Sequence, residues 1–359
     1  MTWQLHPISR FGDRVQVWDA LQRATTDTPF LESAFLRPLL DVFGSGKELL
    51  ALHRNGGGVD AAVILQPSGR GRWATFQPSQ LPLGPWVGAC GDDLGARMHS
   101  LVRALPGFAL GLGATQLDPR LVARPAQSAA LRTMDYINTS WLDVSGRFDD
   151  YWEARGKNLR QNTRKQRNKL QAEGVQTRLE CVTEASGIAA AIADYGALES
   201  AGWKAGNGTA IQADNAQGRF YRAMLENFCT LERARVYRYR FDDKVVAMDL
   251  CIDNGPLVVV LKTAYDESYR QVSPSTLMRQ DQFHAWWDEG RFRRIEFYGK
   301  TLEWHTRWTD SERTLYHATA YRWPWLGRAH ARLTARRLAA AARSSTPPAA
   351  PAPAPDAVT

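Results

Sequence analysis

The sequence predicts a mixed α/β fold made of two similar units in tandem, and three observations carry that expectation. Helix-period and strand-period segments follow one order in the first half and the same order again in the second. A long basic helical stretch stands between the two series. Of the 359 residues, 44% are hydrophobic, enough to bury a core in each of two ordinary domains.

In the first half, apolar residues at helical spacing predict helices over 14–24 and 31–43. Alternating or continuous apolar runs then predict strands over 48–54, 59–66 and 72–77, a helix over 92–104, and strands over 108–113 and 133–142. The second half repeats the order with helices over 187–200 and 216–230, strands over 233–241, 244–253 and 257–264, a helix over 275–288, and strands over 293–297 and 314–321. Between them, Phe148 to Glu173 reads as one helix of about 39 Å at 1.5 Å per residue. Gly327 to Arg343 is Ala- and Arg-rich and expected to be helical, with Arg328, Arg332 and Arg336 on one face. Ser344 to Thr359 holds five prolines among Ala, Ser and Thr and is expected to be disordered. The expected organisation is a unit over 1–146, a connecting basic helix over 147–174, a second unit over 175–326, a basic helix over 327–343 and a tail over 344–359.

Charge is concentrated rather than spread. Arg155 to Lys169 and Arg313 to Pro355 each carry seven cations and no acid; without them the chain, +8 overall, nets −6. Two local anion-facing surfaces fit this better than a general polyanion binder. Trp323 and Trp325 precede the terminal basic helix, which raises a peripheral membrane or polyanion contact against the plainer reading of a solvated helix. Cysteines at 90, 181, 229 and 251 are too few and too scattered for a disulfide framework or a metal site. No apolar run approaches the ~20 residues of a membrane span and the N-terminus has no secretory pattern, so a soluble cytoplasmic protein is expected. GxSxG, HExxH, Walker and CxxC motifs are missing from the sequence, and Gly111-Leu112-Gly113 leads to Asp118-Pro119 rather than a helix.

The most informative stretch runs from Arg235 to Met278. Val246, Met248, Leu250 and Ile252 alternate with Ala247, Asp249 and Cys251, a strand with one apolar face and one able to present a polar group. A hairpin through Asp253-Asn254-Gly255-Pro256 leads to the apolar run Leu257 to Leu261, expected to be a central strand. A polar and aromatic loop follows, and Ser273-Pro274 opens a helix, with Ser273 suited to the N-cap and Pro274 to the first turn. A strand, a loop and a helix start in this order gather unsatisfied NH groups and the positive end of the helix dipole, an anion site of diphosphate size.

The run Leu261-Lys262-Thr263-Ala264-Tyr265-Asp266-Glu267 with Ser273-Pro274 resembles the signature of an acetyltransferase domain family related to cellulose-biosynthesis accessory proteins, within the GNAT superfamily. Glu199 to Lys204, with Gly208-Thr209-Ala210 and Phe220-Tyr221 beyond, and the basic segment Asn158 to Lys165 ending at Leu170 to Gly174 agree with it. The likeness spans roughly residues 30 to 320 and is carried by three separated motifs in order. It implies tandem GNAT-like acyl-CoA N-acyltransferase units joined by the basic helix, as in Fem-type peptidyltransferases, with the acyl donor in the C-terminal unit. The pantetheine arm would then lie between Leu257–Thr263 and Arg293–Tyr298, and the diphosphate at the Gln271–Thr276 turn.

Two departures stand out: Pro274, Ser275 and Thr276 fill positions where the superfamily and the family favour small residues, and His305 stands where lysine is usual. The literal match to the superfamily's Gln-x-x-Gly-x-Gly pattern, Gln66 to Gly71, has no helix after it and reads as a turn.

Acyl transfer from a thioester to an amine needs a base for the amine, polarisation of the carbonyl and a proton for the leaving thiolate. Asp249, Glu199 and His305 are the candidate bases and Tyr265 the candidate thiolate acid. Gln271, Val272, Ser273, Ser275, Thr276 and Lys262 are candidates for the donor, and Trp203, Lys204 and Asp266 for the acceptor or its loop. No metal is expected. The expected reaction moves an acyl group, acetyl in the simplest case, from acyl-CoA to a small amine or amino sugar, with surface-polysaccharide or cell-envelope assembly as the setting by family analogy. An aminoacyl-tRNA donor facing Arg155–Lys169 is one rival. A non-catalytic scaffold that binds a partner through its C-terminal basic helix is the other.

Overall fold

A computed structural model describes residues 2–88, 94–201 and 211–344. The N-terminal half contains strands β1 (Thr2–Pro7), β2 (Leu49–Asn55), β3 (Gly58–Pro67), β4 (Arg72–Thr75), β5 (Trp86–Gly88), β6 (Gly111–Leu117) and β7 (Leu131–Asp143), with helices α1 (Val15–Thr25), α2 (Ser33–Phe43) and α3 (Leu94–Ala104). Helices α4 (Phe148–Glu153) and α5 (Lys157–Ala172) follow. The C-terminal half contains strands β8 (Thr177–Val182), β9 (Ala234–Phe241), β10 (Lys244–Asp253), β11 (Leu257–Tyr265), β12 (Arg294–Glu296) and β13 (Ser311–Tyr321), with helices α6 (Ala185–Ala201), α7 (Ala216–Thr230), α8 (Pro274–Glu289), α9 (Glu303–Thr306) and α10 (Pro324–Ser344).

All of these strands join one mixed sheet in the order β1-β2-β3-β4-β6-β13-β7-β12-β11-β10-β9-β8, with β5 paired to β3. Each half has an antiparallel series ending in one parallel pair: β4 with β6, Trp73 opposite Leu112, and β11 with β12, Val258 opposite Ile295. Beyond each parallel pair the next strand comes from the other half. Strand β13 lies antiparallel to β6, β7 lies antiparallel to β12, and the two pair with each other at the centre. The tandem units therefore exchange their last strands, and the sheet runs on across the boundaries drawn from the sequence.

Helices cover both faces, which a sheet with parallel pairs requires. On one face α1, α2, α6 and α7 bury Trp18, Phe35, Tyr195, Phe220 and Phe228 in a core shared by both halves. On the other face α4, α5 and α8 bury Phe148, Leu159, Phe283, Trp286 and Trp308 against the C-terminal half, while α3 buries Met98 and Leu101 against the N-terminal half.

Three expectations need correction. The single helix over 148–173 is two, broken where Gly156 adopts an extended ψ of 135° and starts α5 afresh; α5 alone is 16 residues, about 24 Å long. Strands β1 and β8 escaped the sequence reading because both lie at sheet edges, half-exposed, with too few buried positions to set a two-residue period. The terminal helix begins earlier than expected, at Pro324.

Candidate active site

The site is built at the second parallel pair. Strands β11 and β12 are in register only from Leu257/Arg294 to Val259/Glu296, and β11 runs on to Tyr265 without its partner. Within this free length, Leu250 of β10 faces Lys262 and Cys251 faces Val260, so Leu261 is an extra residue, a bulge. The bulge resets the alternation. Leu261 and Lys262 both turn to the α6/α7 face, where the Lys262 ammonium lies 5.9 Å from the Tyr221 ring centre, and Thr263 turns to the α8 face.

Asp266 ends the strand. Its carboxylate accepts from the Ser268 amide (2.9 Å) and pairs with Lys244 (2.8 Å), capping a 3-10 turn over Glu267–Val272. Burial raises its carboxyl, but the Lys244 ammonium and the Ser268 bonds outweigh this and hold it below the ordinary Asp value. Asp266 is therefore a turn former. Ser273 then takes a left-handed conformation (φ 45°, ψ 60°) and Pro274 occupies the first turn of α8. Contrary to expectation, the Ser273 side chain does not cap the helix. Its carbonyl accepts from the Thr276 and Leu277 amides (2.9 and 3.2 Å), and the left-handed turn swings the hydroxyl toward α5, where Gln166 Nε2 donates to it at 3.2 Å.

This turn borders a cavity of about 610 Å³ between α5, the start of α8 and α9. Asn158, Asn162 and Gln166, at i, i+4 and i+8 on α5, form one wall; Ser273 and Thr276 form the second; Arg155, Glu303 and Arg307 close the rim. Two buried polar atoms at the cavity have no protein partner, Gln166 Oε1 and Arg155 Nε. Beyond the rim, the exposed Lys157, Arg164 and Lys165 make no ion pair among the described residues. The cavity is of ligand size and sits at a helix N-terminus whose dipole favours an anion.

The predicted donor stretch is divided. Ser273 and Thr276 face this cavity, Gln271 and Val272 line a smaller one of about 220 Å³ beside Leu170 and Tyr269, and Ser275 lines neither. Lys262 lies on the opposite face of the sheet. Inward of the cavity, Arg279 of α8 spans the gap from β11 to α9. It donates to Thr263 Oγ1 (3.0 Å), pairs with Asp249 (3.2 Å) and lies over the Trp304 ring (4.3 Å).

Asp249 does sit on the polar face of its strand, but fully buried and committed to Arg279, not presented to a substrate. His305 is 3% exposed, stacked on Trp304, and accepts from the Leu302 amide through Nδ1. Burial, with Arg279 nearby, pushes its imidazole down to about 4, so it is neutral, with its remaining proton on Nε2, and does not fit the role of a base at neutral pH. Glu199 is also buried, on the α6 face, where it accepts from the Ile211 amide (2.8 Å) and lies 3.4 Å from the Tyr195 hydroxyl. Burial first, and the Glu199 charge second, raise the Tyr195 and Tyr221 phenols well above the ordinary value. Tyr265 is exposed at the end of β11. Trp203 and Lys204 lie outside the described residues.

The equivalent place in the N-terminal half is closed. Gly84 is pressed between β4 and β6, its amide donating to Gln116 O (3.2 Å), so tightly that an added Cβ would stand 2.2 Å from Thr115 O. Thr75 and Thr115 bond across the same gap (2.6 Å), and the space left is about 10 Å³. Among the described residues, the C-terminal pair leaves an opening of ligand size beside its following helix.

Sequence reasoning missed Arg155, Gln166 and Arg279. The spacing Asn158, Asn162, Gln166, uncharged polar residues in a helical line through a run of cations, was the available signal for the wall. A lone Arg among the buried Leu277, Met278 and Phe283, facing a lone Asp in an apolar strand, was the signal for the ion pair.

Residues 157–306 match the family model of an acetyltransferase (GNAT) domain. No curated protein matches the sequence. Among solved structures the chain is similar to FemX over 87% of its own length and 97% of that chain, with a TM-score of 0.55 at 8% identity. It is similar to the C-terminal domain of a protein assigned as a lysylphosphatidylglycerol synthetase from Agrobacterium fabrum over 86% and 92%, with a TM-score of 0.53 at 13% identity. A conserved protein of unknown function from Bacteroides thetaiotaomicron matches over 89% and 99%, with a TM-score of 0.52 at 12% identity. At these identities the likeness is one of fold.

Proposed function

We propose, from the premise of a GNAT-type N-acyltransferase domain over residues 157–306, that the acyl donor is a coenzyme A thioester whose phosphates occupy the cavity at the start of α8. The observation that carries this reading is the cavity itself. A left-handed Ser273 opens the helix, Gln166 Oε1 and Arg155 Nε are left without protein partners among the described residues, and Arg155 and Arg307 stand at the rim. The Ser273 and Thr276 side chains would hold the phosphates against the positive end of the α8 dipole, with Arg155 and Arg307 at the rim. The thioester would reach the unpaired length of β11 from this side.

The amine acceptor would approach the same strand from the α6/α7 face, where Lys262 and Glu199 lie. In the reaction the amine nitrogen attacks the thioester carbonyl, the carbon–sulfur bond breaks, the amine loses one proton and the thiolate gains one. Holding the two reactants across one splayed strand supplies most of the acceleration. Glu199 is the better candidate than Asp249 for taking the amine proton, since Asp249 is tied to Arg279, and Tyr265 is the candidate for protonating the thiolate. An amino sugar, in polysaccharide or envelope synthesis, is the acceptor favoured by the sequence resemblance.

A second donor class is supported by Lys157, Arg164 and Lys165 on α5, exposed and without an ion pair among the described residues, which suit the backbone of an aminoacyl-tRNA. Thermal shift separates the two. Acetyl-CoA at about 100 times its dissociation constant would add about 2.7 kcal/mol and raise the melting temperature by a few degrees. A tRNA donor would instead bind with an affinity that falls steeply with salt. If neither class stabilises the protein, the donor assignment is wrong.

A further inference from the structure

The turn after α3, the end of β13 and the start of α10 bring three aromatic rings to the surface. Phe108 is 61% and Trp325 58% exposed. Trp323 links them, its ring 5.5 Å from Phe108 and stacked 5.9 Å from Trp325. The Arg322 guanidinium lies 4.3 Å from the Phe108 ring centre and is held by the carbonyls of Val102 and Ala109. Phe108 also has φ 53°, a left-handed conformation that costs a bulky residue free energy and gains it no burial here. The Arg322 guanidinium over its face orients this exposed ring.

Helix α10 extends the patch. Gly327 packs so closely on Ala129 O that a Cβ would stand 2.2 Å away, and His330 Nδ1 bonds the Tyr321 hydroxyl (2.5 Å); these fix which side faces the body. At about 100° per residue, Trp325, Arg328, Arg332, Leu333 and Arg336 then share the outward side. Each is exposed, Leu333 at 54%. The described segments 95–117, 119–134 and 313–344, which carry the patch, contain no acidic residue, while Arg72 and Arg132 lie near enough to Tyr321 to lower its phenol's pKa against the effect of burial.

We infer that this face docks on an anionic bilayer surface, with the Phe108–Trp323–Trp325 rings at headgroup depth and Arg328, Arg332 and Arg336 against lipid phosphates. Indole and phenyl rings beside arginines, with no acid to repel the headgroups, are the composition that interfacial binding uses. The contact is superficial, since no helix among the described residues is long and apolar enough to cross a membrane. It does not depend on which acyl donor the protein uses.

The test is co-sedimentation of the full chain with vesicles of phosphatidylcholine alone or with one-third phosphatidylglycerol. Partition at least tenfold higher into the anionic vesicles, falling as salt is raised, is expected. The double variant Arg328→Glu/Arg332→Glu loses more than about twentyfold, at about fivefold per cation removed, and Trp325→Ser loses partition with its melting temperature unchanged. Equal sedimentation with both vesicle types, no sedimentation with either, full binding by both variants, or binding of a tRNA pool through these residues in place of vesicles would each overturn the inference.

Discussion

Thr276→Glu separates the anion cradle from the fold. Thr276 lies in the first turn of α8, half-buried, with its side chain on the cavity. An acid in the first turn of a helix interacts favourably with the dipole by about 0.3–1 kcal/mol, so the variant should melt no lower than the wild type. The same charge about 5 Å from a bound phosphate, at an effective dielectric constant of about 20, repels it by about 3 kcal/mol, or about a hundredfold in dissociation constant. Isothermal titration with acetyl-CoA at low and moderate salt measures this directly, with Thr276→Gln as the uncharged control of similar size. The control should lose only a few-fold, and the gap between the two variants should narrow as salt screens the repulsion. Affinities for Thr276→Glu and Thr276→Gln within twofold of each other would show that no phosphate sits against this turn.

Two further predictions concern the groups behind the cavity. Asp249→Asn leaves Arg279, 4% exposed, without its countercharge, and should cost about 3–5 kcal/mol in denaturant unfolding; a variant of wild-type stability with turnover reduced a hundredfold would restore Asp249 as the base. His305 is held down at about 4 in the fold against about 6.5 unfolded, so the unfolded chain binds the proton first, and the stability His305 contributes is complete above about pH 6.5 and lost as pH falls toward 4. His305→Asn, which keeps an acceptor for the Leu302 amide, should shrink the drop in melting temperature between pH 7 and pH 5, and an unchanged drop would contradict the assigned shift.

The order of elements was readable because buried strands and amphipathic helices impose their periods locally. Leu257 to Leu261 is apolar throughout because both of its faces are covered. The exchange of β7 and β13 was not readable. Both strands alternate, both can lie antiparallel to the end of either parallel pair, and the choice is made by contacts about two hundred residues apart, such as Ala318 opposite Ala114. In the site, Ser273-Pro274 announced a helix start, yet only the backbone reveals that Ser273 is left-handed and hands its hydroxyl to Gln166. Asp249 was located correctly on the polar side of its strand. Its partner Arg279 was passed over because a cation inside a helix is by habit assigned to solvent, whereas here the strand's carboxylate makes its burial tolerable.

Hydrogen exchange of the full chain with and without acetyl-CoA tests the central claim most directly. One donor per chain at the start of α8 predicts slowed exchange over 273–277 and along the cavity wall of α5, with residues 72–88 of the closed N-terminal counterpart unchanged. Protection confined to 72–88, or none at 273–277 under saturating donor, would contradict it.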